Sequence, residues 1–239
     1  MFKRWFARFS GLFDPAGLKK YVTQVSLILV SLFIATRADR CRDAAKDQIK
    51  LKEYLAAVQQ DLQEELESDQ MNLNDCKRDV YCLIKFLELS EYENQDSIFS
   101  AFSFFAEVYQ RGVFRAFPPT TFDIMVQTGD ASLIKDLKMR NSLASVFAFR
   151  QNVIQKDLQE FDHQTQLCTE SLGRFLDFGL MFSATDRPFL LDPKGFKKDP
   201  HNEVFILLRN ANLRAFHLGV AVDDIKDVQK ELAEYLKKI

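Results

Sequence analysis

From Tyr21 to Thr36 the chain runs for sixteen residues without a charge, fenced by Lys19-Lys20 before it and by Arg37, Arg40 and Arg42 after it. No later stretch is comparably apolar over that length. At 1.5 Å of rise per residue the run makes roughly 24 Å of helix, against a hydrocarbon core of about 30 Å. Counting from Leu18 adds roughly 4.5 Å. Lys19 and Lys20 then reach the headgroups along their aliphatic stems, with Tyr21 at the interface. The expectation is a transmembrane helix over residues 18–36. A core helix of a soluble protein usually carries charge on one face, and this run carries none. A cleaved signal peptide has a shorter apolar region and a small-residue cleavage site, but the exit here reads Ala35-Thr36-Arg37-Ala38-Asp39. Asp39 and Arg40, just ahead of Cys41, argue against a lipid-modified cysteine.

Flanking charge orients such a helix weakly. The first 20 residues hold five Lys/Arg and one Asp, and residues 37–52 hold six Lys/Arg and three Asp. The positive-inside comparison is nearly balanced. The remaining 187 residues hold 21 basic and 30 acidic side chains, within a chain of net charge −2. An acidic body of that kind gives no reason to bind nucleic acid or anionic lipid. The tail, residues 1–17, differs. Phe2, Trp5, Phe6 and Phe9 recur at helical spacing, with Lys3, Arg4 and Arg8 between them, and Leu12 and Phe13 follow. Aromatics on one face and cations on the other fit a short interfacial helix on the cytoplasmic leaflet. An aromatic tail packed on the body is the competing reading. The first places the chain in a bacterial inner membrane as a single-pass protein, with a periplasmic body and membrane lipid as one partner.

Beyond the anchor, residues 37–239 read as an all-α helical bundle. Leu51, Leu55, Val58, Leu62 and Leu66 form one apolar stripe on a long helix. Met71, Leu73, Val80, Leu83, Ile84 and Leu87 either continue it or start a second helix after Asn72 and Asn74. Ser90 to Asn94 is a polar break, and Asp96 or Ser97 is the expected cap of an aromatic helix ending near Gly112. Pro118-Pro119 breaks the chain again. Thr120 or Thr121 should cap a short helix with Asp123 in its first turn. Gly129 should end that helix and Asp130 cap the next, from Ala131 to about Asn152 or beyond. A helix around Leu167 to Phe182, an irregular stretch from Thr185 to Asn202, and two last helices (Glu203–Leu218 and Asp223–Lys238) complete the expectation. No strand alternation and no internal repeat is sustained.

The segment TTFDIMVQTGDASLIKDLKMRNSLASVFAF, Thr120 to Phe149, carries a resemblance. Phe122, Thr128-Gly129, Leu133-Ile134, Met139-Arg140 and Leu143 follow an aromatic, a Ser/Thr-Gly turn and a Leu-Ile-x-x-x-x-Leu-Arg-x-x-Leu helix. With the basic tail and single anchor, this resembles a family of uncharacterised single-pass bacterial membrane proteins, described only as a domain of unknown function. The match departs at Met139, where that family usually has Leu, and at Ile34-Ala35-Thr36-Arg37, where it tends to continue with amides and a Trp. The resemblance implies architecture. It brings no activity, cofactor or catalytic residue.

Chemistry-bearing residues are sparse. His163, His201 and His217 share no helical spacing and read as surface or capping residues. His163 and Cys168 are five apart, and Cys76 and Cys82 six apart, neither of which suits a helical metal pair. No metalloprotease, phosphate-loop, dinucleotide or nucleophile-elbow motif is present. Glu64, Glu65 and Glu67 read as a solvated face. The four cysteines allow three pairings in an oxidising space, or stand as buried thiols. Phe99, Phe102, Phe104 and Phe105 wrap more than one helix face, so that helix is central or meets a partner. No catalytic, cofactor-binding or metal residue is nominated.

Within the anchor, Gln24, Ile28, Ser31 and Ala35 step by 4, 3 and 4 and gather on one small or polar face. Such faces favour close contact and hydrogen bonding between membrane helices. The expected role is a membrane-anchored, non-enzymatic interaction or scaffold subunit, joined through this helix to a protein partner or to its own copy. The alternative is a ligand-sensing helical bundle that signals through a partner.

Overall fold

The computed structural model describes residues 15–92, 94–111, 117–181 and 190–239, with side chains from Thr23 onward apart from Pro193 and residues 197–200. The tail residues Phe2, Lys3, Arg4, Trp5, Phe6, Arg8 and Phe9 lie outside that description, as does Gly112. Helix α1 covers Pro15–Ser90, α2 Gln95–Arg111, α3 Thr121–Thr128, and a 3-10 turn Asp130–Leu133. Helix α4 (Leu137–Phe149) passes through a π turn, Arg150–Ile154, into α5 (Gln155–Leu172). A short α6 (Phe178–Met181) and a long α7 (Pro193–Leu236) follow. Among the described residues the extended structure is one isolated antiparallel bridge, Leu176 to Leu190. The all-α class expected from the periodicity is observed. The chain divides into two compact units, Met1–Lys52 and Glu53–Ile239.

In the first unit, α1 is exposed at every described position from Thr23 to Lys50. Among the described residues no helix is long and apolar enough to cross a membrane. The reason is length: Leu18 to Val22 are helical, but their side chains fall outside the description. Thr23 to Thr36 alone makes roughly 21 Å at the helical rise, and charges follow directly from Arg37. Thr36 turns its hydroxyl back onto the Leu32 and Phe33 carbonyls, both at 2.9 Å, and the Arg37 guanidinium sits 5.4 Å from the Phe33 ring centroid.

The second unit is a bundle built on the apolar faces of α1, α2, α5 and α7. Its main core joins Cys82, Leu83 and Phe86 of α1 to Ile98, Ala101, Phe105 and Val108 of α2, Phe161 and Leu172 of α5, and Phe196, Val204 and Leu207 of α7. Each Val, Leu, Ile and Phe among them contributes roughly 1.5–3 kcal/mol by leaving water. The stripe Leu55, Val58, Leu62 and Leu66 is buried as its spacing requires. Phe105 is buried and Phe102 and Phe104 pack on the core, while Phe99, Ser100 and Ser103 are exposed, so α2 buries one face and is not a central helix.

Several boundaries differ from expectation, each for a local reason. Asn72 and Asn74 do not break α1, which runs unbroken to Ser90. Asn94, not Asp96 or Ser97, caps α2: its Oδ1 accepts the Ser97 N–H at 2.8 Å. Thr120 caps α3 in a reciprocal box with Asp123, which satisfies two otherwise orphaned donors. Gly129 ends α3 at φ +81°, a conformation costly for any residue with a Cβ. Asp130 is not the next helix cap. It opens the 3-10 turn, and Asp136 caps α4 through the Lys138 and Met139 N–H groups. The expected helix at Leu167–Phe182 ends at Leu172 instead. The two last helices expected, Glu203–Leu218 and Asp223–Lys238, are one continuous helix, because Leu218, Ala221 and Val222 at the expected break are buried and hold it together. Pro193 in the first turn of α7, behind the Asp192 cap, starts that helix well inside the stretch expected to be irregular.

Candidate functional site

Two buried ionic clusters sit on one side of α1, and they differ in how completely they are satisfied. The first begins with Glu65 and Asp69, four residues apart and therefore on one helix face. The π turn carries Arg150 to them. Its Nη1 lies 2.5 Å from Glu65 Oε1 and its Nη2 3.2 Å from Asp69 Oδ1. The extra residue of a π turn changes the phase of the helix that follows, and such turns recur at functional sites. The Arg150 guanidinium also lies 4.3 Å from the Phe117 ring centroid, an attraction to the ring's negative face.

One guanidinium thus faces two carboxylates. Glu65 is 8% exposed and Asp69 fully buried. Among the described residues, the buried side-chain nitrogen and oxygen atoms without a hydrogen-bond partner are Glu65 Oε2, Asp69 Oδ2 and Arg150 Nε, all in this cluster. Burial pushes the Glu65 carboxyl up to about 7, against the pull of Arg150, and Asp69 and Asp61 add to the rise. Burial raises Asp69 as well. The expectation that Glu64, Glu65 and Glu67 form a solvated face holds for Glu64 and Glu67 and fails for Glu65. The sequence signal that was available is phase: Glu65 adjoins Leu66 and follows Leu62 by three, on the buried side of the stripe.

A cleft of about 250 Å³ opens over this cluster. Glu65 and Arg150 line it with Asp61, Glu64 and Ser68 of α1, and Phe117, Pro118 and Pro119 supply an apolar wall. Asp61 is tied to the wall's far end, accepting the Thr121 N–H at 2.6 Å. Gln151 reaches Asp123 at 3.0 Å and fixes the π turn against α3.

The second cluster is closed. Asp79, 1% exposed in its side chain, takes Arg111 of α2 on Oδ1 and Arg214 of α7 on Oδ2, each at 2.7 Å. Arg214 Nε donates to Cys76 Sγ, and its guanidinium lies 4.1 Å from the Phe161 ring centroid. Glu107 bridges outward to Arg78 at 3.0 Å and to Arg111 at 3.6 Å. Here every buried acceptor is met, as a stable low-dielectric network requires.

The remaining chemistry-bearing residues are divided among structural contacts. Surface or capping places were expected for the histidines, whereas His201 is buried and His217 half-buried. His201 is buried, with Nε2 2.8 Å from Ser90 Oγ, and His217 Nδ1 lies 2.5 Å from Asp157 Oδ2. His163 is exposed, as expected. The Ser90–His201 distance suits a nucleophile and its base, but Ser90 is buried at the end of α1 and its Oγ also bonds the Leu87 carbonyl at 3.1 Å. The Glu91 carboxylate lies 4.0 Å from the same Nε2, the nitrogen that faces Ser90 and not the one an orienting acid binds in a triad. The four cysteines are free thiols: Cys41 is exposed, and Cys76, Cys82 and Cys168 are buried. Burial pushes the Cys168 thiol up to about 12. Among the described residues no group of three or more His, Cys, Asp or Glu side chains is arranged to hold a metal ion.

The association-face residues Gln24, Ile28, Ser31 and Ala35 all lie on α1 in the first unit, and all are exposed. No family model, curated protein or solved structure matches the chain.

Proposed function

We propose that the protein is a membrane-anchored, non-enzymatic interaction or scaffold subunit, held in a bacterial inner membrane by the N-terminal part of α1, with its body in the periplasm. One observation carries this reading. Val25, Leu27, Ile28, Leu29, Val30, Leu32, Phe33 and Ile34 are each 54–63% exposed on a helix. They point in all directions around it, since eight of ten consecutive positions span every helical phase. Apolar surface of that extent calls for lipid or another protein, not water. Gln24, Ser31 and Ala35 supply the small and amide groups through which a second membrane helix approaches. In the body, α7 adds exposed Phe205 and Phe216, eleven residues apart and so on one side of the helix, in keeping with an interaction role. The buried ionisable groups mostly satisfy one another, which supports a binding role over catalysis.

The test is fractionation of the full chain. After alkaline washing, the protein should stay with the membrane pellet, and Leu29→Arg with Val30→Asp should release it. In mild detergent its mass should exceed one 27.7 kDa chain. A washed-off, monomeric protein ends the proposal. A second reading, a ligand-sensing bundle that signals through a partner, is supported by the cleft over Glu65 and by its unpaired buried atoms.

A further inference from the structure

We propose that the irregular Phe117–Thr120 segment is a proton-gated strap. It lies closed over Glu65, Asp69 and Arg150 while the two carboxylates hold one proton between them, and it lifts from α1 when that proton leaves. Such a strap acts within the body and does not depend on the membrane anchor.

The charge balance calls for that proton. Asp61, Glu65 and Asp69 step by four along α1 and share one face. Arg150 of the π turn is the cation that reaches this face, bridging Glu65 and Asp69. From α3 comes Asp123, which is taken up by Thr120 and Gln151. Glu64 adds an exposed carboxylate to the lining of the cleft. α7 meets the π turn through Leu218 and Ala221 on Ile154, an apolar contact. With both buried carboxylates ionised, one guanidinium would face two full charges away from water, a costly state that a proton relieves. The unmet Glu65 Oε2 and Asp69 Oδ2 offer that proton a place. The Asp79 cluster has the opposite balance, two guanidiniums to one carboxylate, and both of its oxygens are met.

Ionisation in place is blocked by geometry. Glu65 Oε2 and Asp69 Oδ2 are shut off from solvent, so a second full charge there is hydrated only if a neighbour moves. The Phe117–Thr120 segment has the least to lose. It forms neither helix nor strand, Pro118 and Pro119 are exposed, and proline has no N–H to give up. It lines the same cleft as Glu65 and Arg150. Two contacts hold it down: the Phe117 ring on the Arg150 guanidinium, and Asp61, which accepts the Thr121 N–H. Both answer to the charge on Glu65. Like charges one turn apart at Asp61 and Glu65 repel, and water drawn to an ionised Glu65 weakens the attraction of Arg150 for the ring. Burial pushes the Glu65 carboxyl up to about 7, so the proton is bound below neutrality and lost above it.

The Thr121 N–H is the reporter, followed by hydrogen exchange in the full chain in mild detergent, with rates corrected for the pH dependence of chemical exchange. Between pH 6 and 8.5 its protection should fall ~10-fold, the ratio for one proton held at about 7 when closed and at 4.5 when open. Low urea should not speed its exchange, whereas core amides of α2 such as that of Phe105 should exchange faster as urea rises, the mark of global opening. Glu65→Gln keeps an oxygen for Arg150 and removes the titration. Asp69→Asn leaves one carboxylate for one guanidinium. Each should be as well protected at pH 8.5 as at pH 6, and Glu67→Gln, on the exposed side of the same turn, should behave as the parent. Melting temperatures at pH 6 establish that the variants fold, and either buried variant alone suffices to decide. Constant protection in the parent, a urea dependence at Thr121 equal to that of the core, or a full pH response in a folded Glu65→Gln or Asp69→Asn variant would each overturn the proposal.

Discussion

Arg214 of α7 and Asp79 of α1, 135 residues apart in sequence, meet with Nη2 2.7 Å from Oδ2 inside the bundle. Arg111 of α2 completes the carboxylate from the other side. Three helices are thereby locked at one buried point.

Breaking that point should be expensive. Arg214→Met leaves Asp79 with one partner and removes the donor to Cys76, and should destabilise the fold by about 3–5 kcal/mol. Arg214→Met combined with Asp79→Leu should cost clearly less than the sum of the two single changes. Urea unfolding of the body in all four forms measures both. Additive losses would show that the pair does not act as a unit.

Stability should fall as pH rises through neutrality. The folded-state Glu65 carboxyl titrates near 7, above its ordinary value of 4.5. The folded protein therefore holds an extra proton between those values. The stabilisation is fully present below 4.5 and is lost as pH passes 7, and it amounts to about 3 kcal/mol at most. Asp69 and Asp79, also raised by burial, act in the same direction. Glu65→Gln should lose less stability than the parent between pH 5 and 8. Parallel denaturation curves at all pH values would contradict this.

Gly129 should resist replacement for a backbone reason alone. A Cβ built there meets nothing within 4 Å, yet φ is +81°. Gly129→Val should cost about 1–3 kcal/mol, and Gly129→Asn less, because asparagine tolerates the left-handed region. Equal melting temperatures for Gly129→Val and the parent would remove the strain argument.

The Gln24, Ile28, Ser31 and Ala35 face should mediate association of the anchor. Ser31→Leu with Ala35→Leu should block close approach of a second helix and lower the detergent-phase mass. Leu29→Ile with Val30→Ile, away from that face, should leave assembly intact. If the first pair assembles like the parent, the helix is only a tether.

Local signals were legible where a few neighbouring residues decide the conformation. The Thr120–Asp123 capping box, the Gly129 turn and the Leu55–Leu66 stripe could each be read from short spacing, because hydrogen bonds and φ preferences act within a turn or two. Asn72 and Asn74 misled for the converse reason. Their weak helix propensity costs a few tenths of a kcal/mol, and the buried contacts of Leu66, Cys76 and Leu83 outweigh it. The break expected between Leu218 and Asp223 was overridden in the same way by buried Leu218, Ala221 and Val222.

The sequence by itself determined the helical class, the charge-free run and most turn chemistry, since these follow from periodicity and local sterics. Only the tertiary structure decided which charges are buried. Glu65 is one of three similar glutamates, and Arg150 and Arg214 look like ordinary helix-surface cations in a linear reading. Their partners lie 81 residues away at Asp69 and 135 away at Asp79. Coulombic pairing depends on distance in space and on exclusion of water, and neither is set until the helices have packed.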